Sequence, residues 1–139
     1  MDGLGRMWPP AVEAVAAVFR NAGMDARLEE LPEGERSLPG TGVRVDAIDC
    51  DGRPVVALVP VDREIDQRRL AEAAGCRLPR PASPPPFPYR GVTVLIERLL
   101  LGEGTVWIEA GSPRHVAVLS AAQLARLVQS EPADLLAEP

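Results

Sequence analysis

Residues 105–128, TVWIEAGSPRHVAVLSAAQLARLV, decide how this chain is read. From Thr105 to Glu109 apolar and polar side chains alternate, the pattern of a strand with one face on a core. Ala110-Gly111-Ser112-Pro113-Arg114-His115 breaks that pattern as a tight turn, and Val116 to Val118 resumes it. Ser120 and Gln123 then form a capping box for a helix that turns Leu124, Leu127 and Val128 to the core. The stretch predicts strand, turn, strand, helix. Glycine lets a backbone approach a ligand closely, and small neighbours leave room for one. The turn is therefore the first candidate for a pocket edge.

Working outward, Pro9 and Pro10 precede a helix whose Val12, Val15, Ala16 and Phe19 share one face, with Gly23 as its stop. Met24, Ala26 and Leu28 alternate as a half-buried strand would. Residues 32–42 read as a polar loop. Val43, Val45 and Ala47 predict a strand, and Asp51-Gly52 is a strong two-residue hairpin signal. Residues 54–61, PVVALVPV, are nearly continuous apolar sequence, so a strand buried on both faces and internal to its sheet is expected. Asp66 is a good N-cap for a helix over 67–74, ended by Gly75. Six prolines fall within residues 79–88, and residues 79–90 read as a stiff Pro-rich connecting loop. A strand is expected over 92–96 and an apolar hinge over 99–101. Residues 129–139 read as a frayed acidic tail. The elements predict one α+β domain over 1–139, with a mixed sheet flanked by helices.

The chain has 139 residues and a net charge of −5. That length suits one core, and that charge argues against broad nucleic-acid binding, which needs many cationic phosphate contacts. A small basic patch beside a pocket remains compatible with it. All 15 basic residues are arginine, so no side-chain amine can serve as base or Schiff-base former. The single histidine, His115, and the two cysteines, Cys50 and Cys76, do not make a metal-ligand pattern, and neither a metal nor a cofactor is expected. No apolar run is long enough to span a bilayer, and the N-terminus lacks a signal-peptide pattern. A cytoplasmic protein is the expectation.

Three segments together resemble the YbaK/ProX family of aminoacyl-tRNA deacylases. They are residues 55–75, VVALVPVDREIDQRRLAEAAG; residues 91–101, GVTVLIERLLL; and the Gly111-Ser112-Pro113 turn with Leu119-Ser120 and its helix. The end of the first helix, Ala22-Gly23-Met24-Asp25-Ala26, has the same look. The resemblance implies a mixed, partly closed sheet with helices packed around it. It also implies hydrolysis of the ester of a mischarged tRNA, with the tRNA acceptor end as partner. The need for such a reaction is physical, because a binding pocket separates side chains that differ by a methylene by only about 1–3 kcal/mol. The chain departs from the family pattern in three places, the first being that Glu33 to Gly42 is too short for the helix the family has before its hairpin. The family's lysine falls near Thr41 to Arg44, where no lysine stands, and its glycine-rich pocket loop is reduced to Pro85-Pro86-Phe87-Pro88.

On that resemblance the catalytic candidates are the backbone donors of Gly111 and Ser112, with His115 as the one side chain able to act as a base near neutral pH. Arg44 and Thr41 occupy the lysine's neighbourhood, and Arg44 suits a phosphate. Asp62 would order the pocket rim. Phe87 and Tyr89 would stack on the terminal adenine, and Pro113 and Arg114 would border the site. The plainer readings are a β-turn at 111–113, a solvated turn histidine, and aromatic packing beneath a Pro-rich loop. A non-catalytic relative that binds an aminoacyl or nucleotide-like ligand, or a protein, is the alternative function.

Overall fold

The computed structural model describes residues 8–24, 26–31 and 40–138. In chain order its elements are α1 (Pro10–Asn21), β1 (Arg27–Glu30), β2 (Thr41–Cys50), β3 (Arg53–Pro60), α2 (Gln67–Ala74), β4 (Pro79–Ala82), β5 (Thr93–Glu97), a 3₁₀ turn (Arg98–Gly102), β6 (Thr105–Ser112), β7 (His115–Ser120), α3 (Ala121–Leu127) and β8 (Glu131–Ala133). The strands form one mixed sheet in the order β1-β7-β6-β2-β3-β5-β8, an open path, with β4 paired to β2 off that path. The loop expected over 32–42 lies mostly outside the described residues, and its last two residues begin β2.

The apolar run becomes β3, an internal strand between β2 and β5. Its side chains alternate between two cores, as a period of two requires. Val56 and Leu58 join the core under α1 and α3. Val55, Ala57 and Val59 join a second core with Leu70 of α2. The hairpin before it turns at Asp51 (φ 54°) and Gly52 (φ 92°), the pair of left-handed residues that a two-residue turn demands. α1 buries Val12, Val15, Ala16 and Phe19. The Asp66 carboxylate accepts the Arg68 and Arg69 N–H groups at the start of α2, and Gly75 ends that helix in the left-handed conformation. The Ser120–Gln123 capping box forms as expected.

Two expectations are corrected. The Pro-rich segment is not wholly connector, because Pro79–Ala82 lies antiparallel along β2 at Ala47–Cys50. Prolines are tolerated there because β4 is an edge strand. The acidic tail is not frayed either. β8 pairs parallel with β5, and Ala133, Leu135 and Leu136 are buried in the second core. The three apolar side chains outweigh the acidic ones in placing this segment.

Asp51 also fastens the hairpin to the segment after α2. Its carboxylate accepts the N–H groups of Arg77 at 2.9 Å and Leu78 at 3.0 Å. These two bonds, with help from the Arg77 and Arg53 charges, hold its pKa below the usual 3.8. A lowered folded pKa means stabilisation present above the unfolded value and lost as pH falls through the folded one. Asn tolerates the same left-handed backbone but has no charge to lose. Melting curves should therefore fall more steeply below about pH 4 for wild type than for Asp51→Asn; parallel profiles would refute the role.

Candidate functional site

The site arises from the way β2 divides its free edge. Its first residues, Thr41–Val43, pair in parallel with β6, and its last four, Ala47–Cys50, pair with β4. Between them Arg44, Val45 and Asp46 have register partners only on β3. The fork opens a groove of about 1030 Å³. Val43, Val45 and Val61 line it on the fork side, Ala11, Ala14 and Val15 of α1 on another, and Phe87 and Tyr89 of the loop after β4 on a third. The far wall is one face of β6 and its hairpin: Trp107, Glu109, Gly111, Pro113 and Arg114, with Val116 opposite. Trp107, Glu109 and Gly111 share that face because alternate residues of a strand point the same way.

Glycines shape two of these walls. Gly42 stands opposite Trp107 in the register, and a Cβ there would fall 2.5 Å from the indole; the missing side chain lets the ring lie on the backbone. Gly111, at φ 93°, has the first turn of α1 against it, with the Ala11 carbonyl 2.7 Å from where a Cβ would be. Gly111 does line the groove, but its lack of a side chain is spent on the helix.

The groove carries both charge signs. Arg44 donates to Asp46 at 3.0 Å and reaches the Val61 carbonyl. Arg114 donates to the Leu31 carbonyl at 3.0 Å and lies 3.8 Å from Glu30. Tyr89 is buried, in edge contact with Phe87, which in turn packs on Phe19. Burial, reinforced by the Glu109 charge, pushes the Tyr89 phenol well above its ordinary range. It stays a neutral donor at physiological pH.

Of the residues proposed from sequence, Gly111, Pro113, Arg114, Arg44, Phe87 and Tyr89 meet at this groove. Four do not. Ser112 and His115 are absent from the lining. They face each other across the hairpin, with Ser112 Oγ 2.6 Å from His115 Nδ1. The Ser112 hydroxyl also accepts the Arg114 N–H, and the buried imidazole meets the Trp8 ring edge-on. Residues 112 and 115 therefore close the turn, a consequence of the opposite strand face from Gly111. Thr41 points elsewhere, its hydroxyl donating to Glu103. Asp62 is exposed in the turn after β3. Sequence reading missed Trp107 and Glu109. Their alternation with Val106 and Ile108 was visible, but which face would meet a cavity was not.

Cys50 and Cys76, taken from sequence as unrelated thiols, come together with Asp51: one ligand atom from each lies within 4.8 Å of the others. Burial first, then the neighbouring Cys50, pushes the Cys76 thiol up to about 11, so it keeps its proton at neutral pH. With the Asp51 carboxylate already accepting two backbone N–H groups, the cluster acts as a joint between the hairpin and α2.

No described helix is long and apolar enough to cross a membrane. No family model matches the sequence, and no curated protein matches it. Solved structures do. One is a candidate trans-editing enzyme for prolyl-tRNA synthetase, with TM-score 0.82 and 20% identity over 95% of this chain and 100% of that one. Another, a scaffold from the computational grafting of epitope backbones, gives 0.82 and 19% over the same shares. The hypothetical protein APE2540 gives 0.75 and 17% over 88% of this chain and 99% of that one. At such identities the likeness is one of fold: the chain is built on the fold of that candidate trans-editing enzyme, as its resemblance to the deacylases implied.

Proposed function

We propose that the chain is a trans-editing aminoacyl-tRNA deacylase, working in the cytoplasm on the acceptor end of mischarged tRNA. The observation that carries this reading is the groove itself, lined mainly by apolar side chains and flanked by Arg44 and Arg114, on a fold shared with a candidate editing enzyme. An aminoacyl ester needs an apolar slot for a small side chain and cations for the nucleotide phosphate. Attack on an activated ester asks for an aligned water and donors for the developing oxyanion. The β6–β7 register skips between Glu109 and Ser112, so the Ala110 and Gly111 peptides fall outside the paired positions and are the candidate donors. The water's oxygen would bond to the ester carbonyl, and its proton would pass to the departing ribose oxygen as the ester C–O bond breaks, relayed by the neighbouring ribose hydroxyl, since neither Ser112 nor His115 lines the groove.

That Ser112 and His115 stay out of the groove, with no lysine in the sequence, supports a second reading: a relative that binds the aminoacyl end without cleaving it. Deacylation of alanyl- and cysteinyl-tRNA for proline, within a panel of mischarged tRNAs, separates the two. The enzyme reading expects hydrolysis above background, lowered about tenfold by Arg44→Ala together with Arg114→Ala through lost phosphate contacts. No hydrolysis with any substrate would leave the binding reading.

A further inference from the structure

Glu109 is the feature of the groove that the proposed function leaves unused. It lies on the groove face of β6, one strand repeat from Trp107, so the two side chains rise side by side about 7 Å apart. A carboxylate bordering an apolar slot is poorly hydrated on that side and gains most from a cation. Both arginines of the groove are engaged elsewhere, Arg44 by Asp46 and Arg114 by Leu31 and Glu30, and Glu109 has no ion-pair partner among the described residues. Its carboxylate is exposed on the groove side, within electrostatic reach of the buried Tyr89 hydroxyl. Trp107 is half-buried, its indole packed close against Gly42. An indole face is the best aromatic partner for a cation.

We infer that Glu109 and Trp107 form an ammonium subsite, which selects ligands carrying a free primary amine and, on the deacylase reading above, receives the α-ammonium of the aminoacyl group. The subsite gives the groove a polarity. The amine end lies at Glu109, the phosphate end toward Arg44 and Arg114, and the apolar side chain between them against Val45 and Val116. It also sets a specificity: an N-blocked aminoacyl group, such as a formylated or peptidyl one, lacks the charge and leaves Glu109 unpaired.

The test is a chemical-shift titration of the ¹⁵N-labelled chain at about pH 6, where an α-amine is protonated. The probes are L-alaninamide, N-acetyl-L-alaninamide and AMP. Alaninamide should shift the Trp107 indole and Gly111 amide signals saturably and bind about tenfold more tightly than its acetylated form. Glu109→Gln, a near-isosteric change at an exposed position, should erase that ratio. Equal binding of the two amides, no binding of alaninamide, or a ratio that survives Glu109→Gln would overturn the subsite. The outcomes also separate this inference from the function beneath it. AMP binding near Arg44 without amine discrimination keeps an acceptor-end site and overturns the subsite. Amine discrimination in a protein that deacylates no tRNA keeps the subsite and overturns the enzyme.

Discussion

Gly111→Ala should destabilise the protein by about 3 kcal/mol, lowering its melting temperature by about 10 °C. Two costs add. The backbone at residue 111 sits at φ 93°, where a side chain is strained by about 1 kcal/mol. The added methyl would also stand 2.7 Å from the Ala11 carbonyl carbon and oxygen and 2.8 Å from the Val12 nitrogen. These are backbone atoms of a helix, which cannot swing aside as a side chain does, so α1 must lift from β6. Gly104→Ala is the control: its φ is 79° and nothing lies within 4 Å of the new Cβ, so it should lose only the strain. Thermal denaturation of both variants followed by circular dichroism decides the matter. If Gly111→Ala melts no lower than Gly104→Ala, the close approach of α1 is wrong. The consequence for function is direct. Loss of activity in a Gly111 variant would report a displaced helix, so the groove is better probed at Arg44 and Glu109.

Glu97→Ala is expected to cost about as much, ~3 kcal/mol, for a different reason. Glu97 is 3% exposed at the end of β5. One carboxylate oxygen accepts the Leu135 N–H at 2.7 Å and the other the Leu99 N–H at 3.0 Å. A single side chain thus fastens both the C-terminal segment and the 3₁₀ turn. Removing it strands two donors, each worth about 1–3 kcal/mol when left unsatisfied away from water. Glu97→Gln retains one acceptor oxygen and should fall between. Urea unfolding gives the size of the effect, and amide exchange gives its place: the Leu135 and Leu99 amides should lose protection in Glu97→Ala first. Unchanged exchange at both would rule out the clasp. Removal of residues 130–139 should be at least as damaging, since it uncovers the second core where Leu135 and Leu136 are buried.

Much of the fold was legible because its signals are local. The period of α1, the left-handed pair at Asp51-Gly52, the Asp66 and Ser120 caps and the unbroken apolar run of β3 each act within a few residues, and each formed as read. The errors came where a distant partner decides. Pro79–Ala82 carries no local strand signal, and it is extended along β2 because that edge is free beyond the fork. Residues 131–136 look acidic in sequence, yet β5 and Glu97 supply the partners that fix them.

The sequence alone determined a mixed α+β fold that resembles the deacylases, with no lysine anywhere and with Arg44 in the neighbourhood where that family has one. Only the tertiary structure decided which face of β6 meets the groove. That choice brings Trp107, Glu109 and Gly111 to the groove side and turns Ser112 and His115 to the opposite one. Strand alternation fixes which residues travel together, but the face they take depends on where β2 forks and where α1 lies down, and both depend on contacts between segments far apart in the chain.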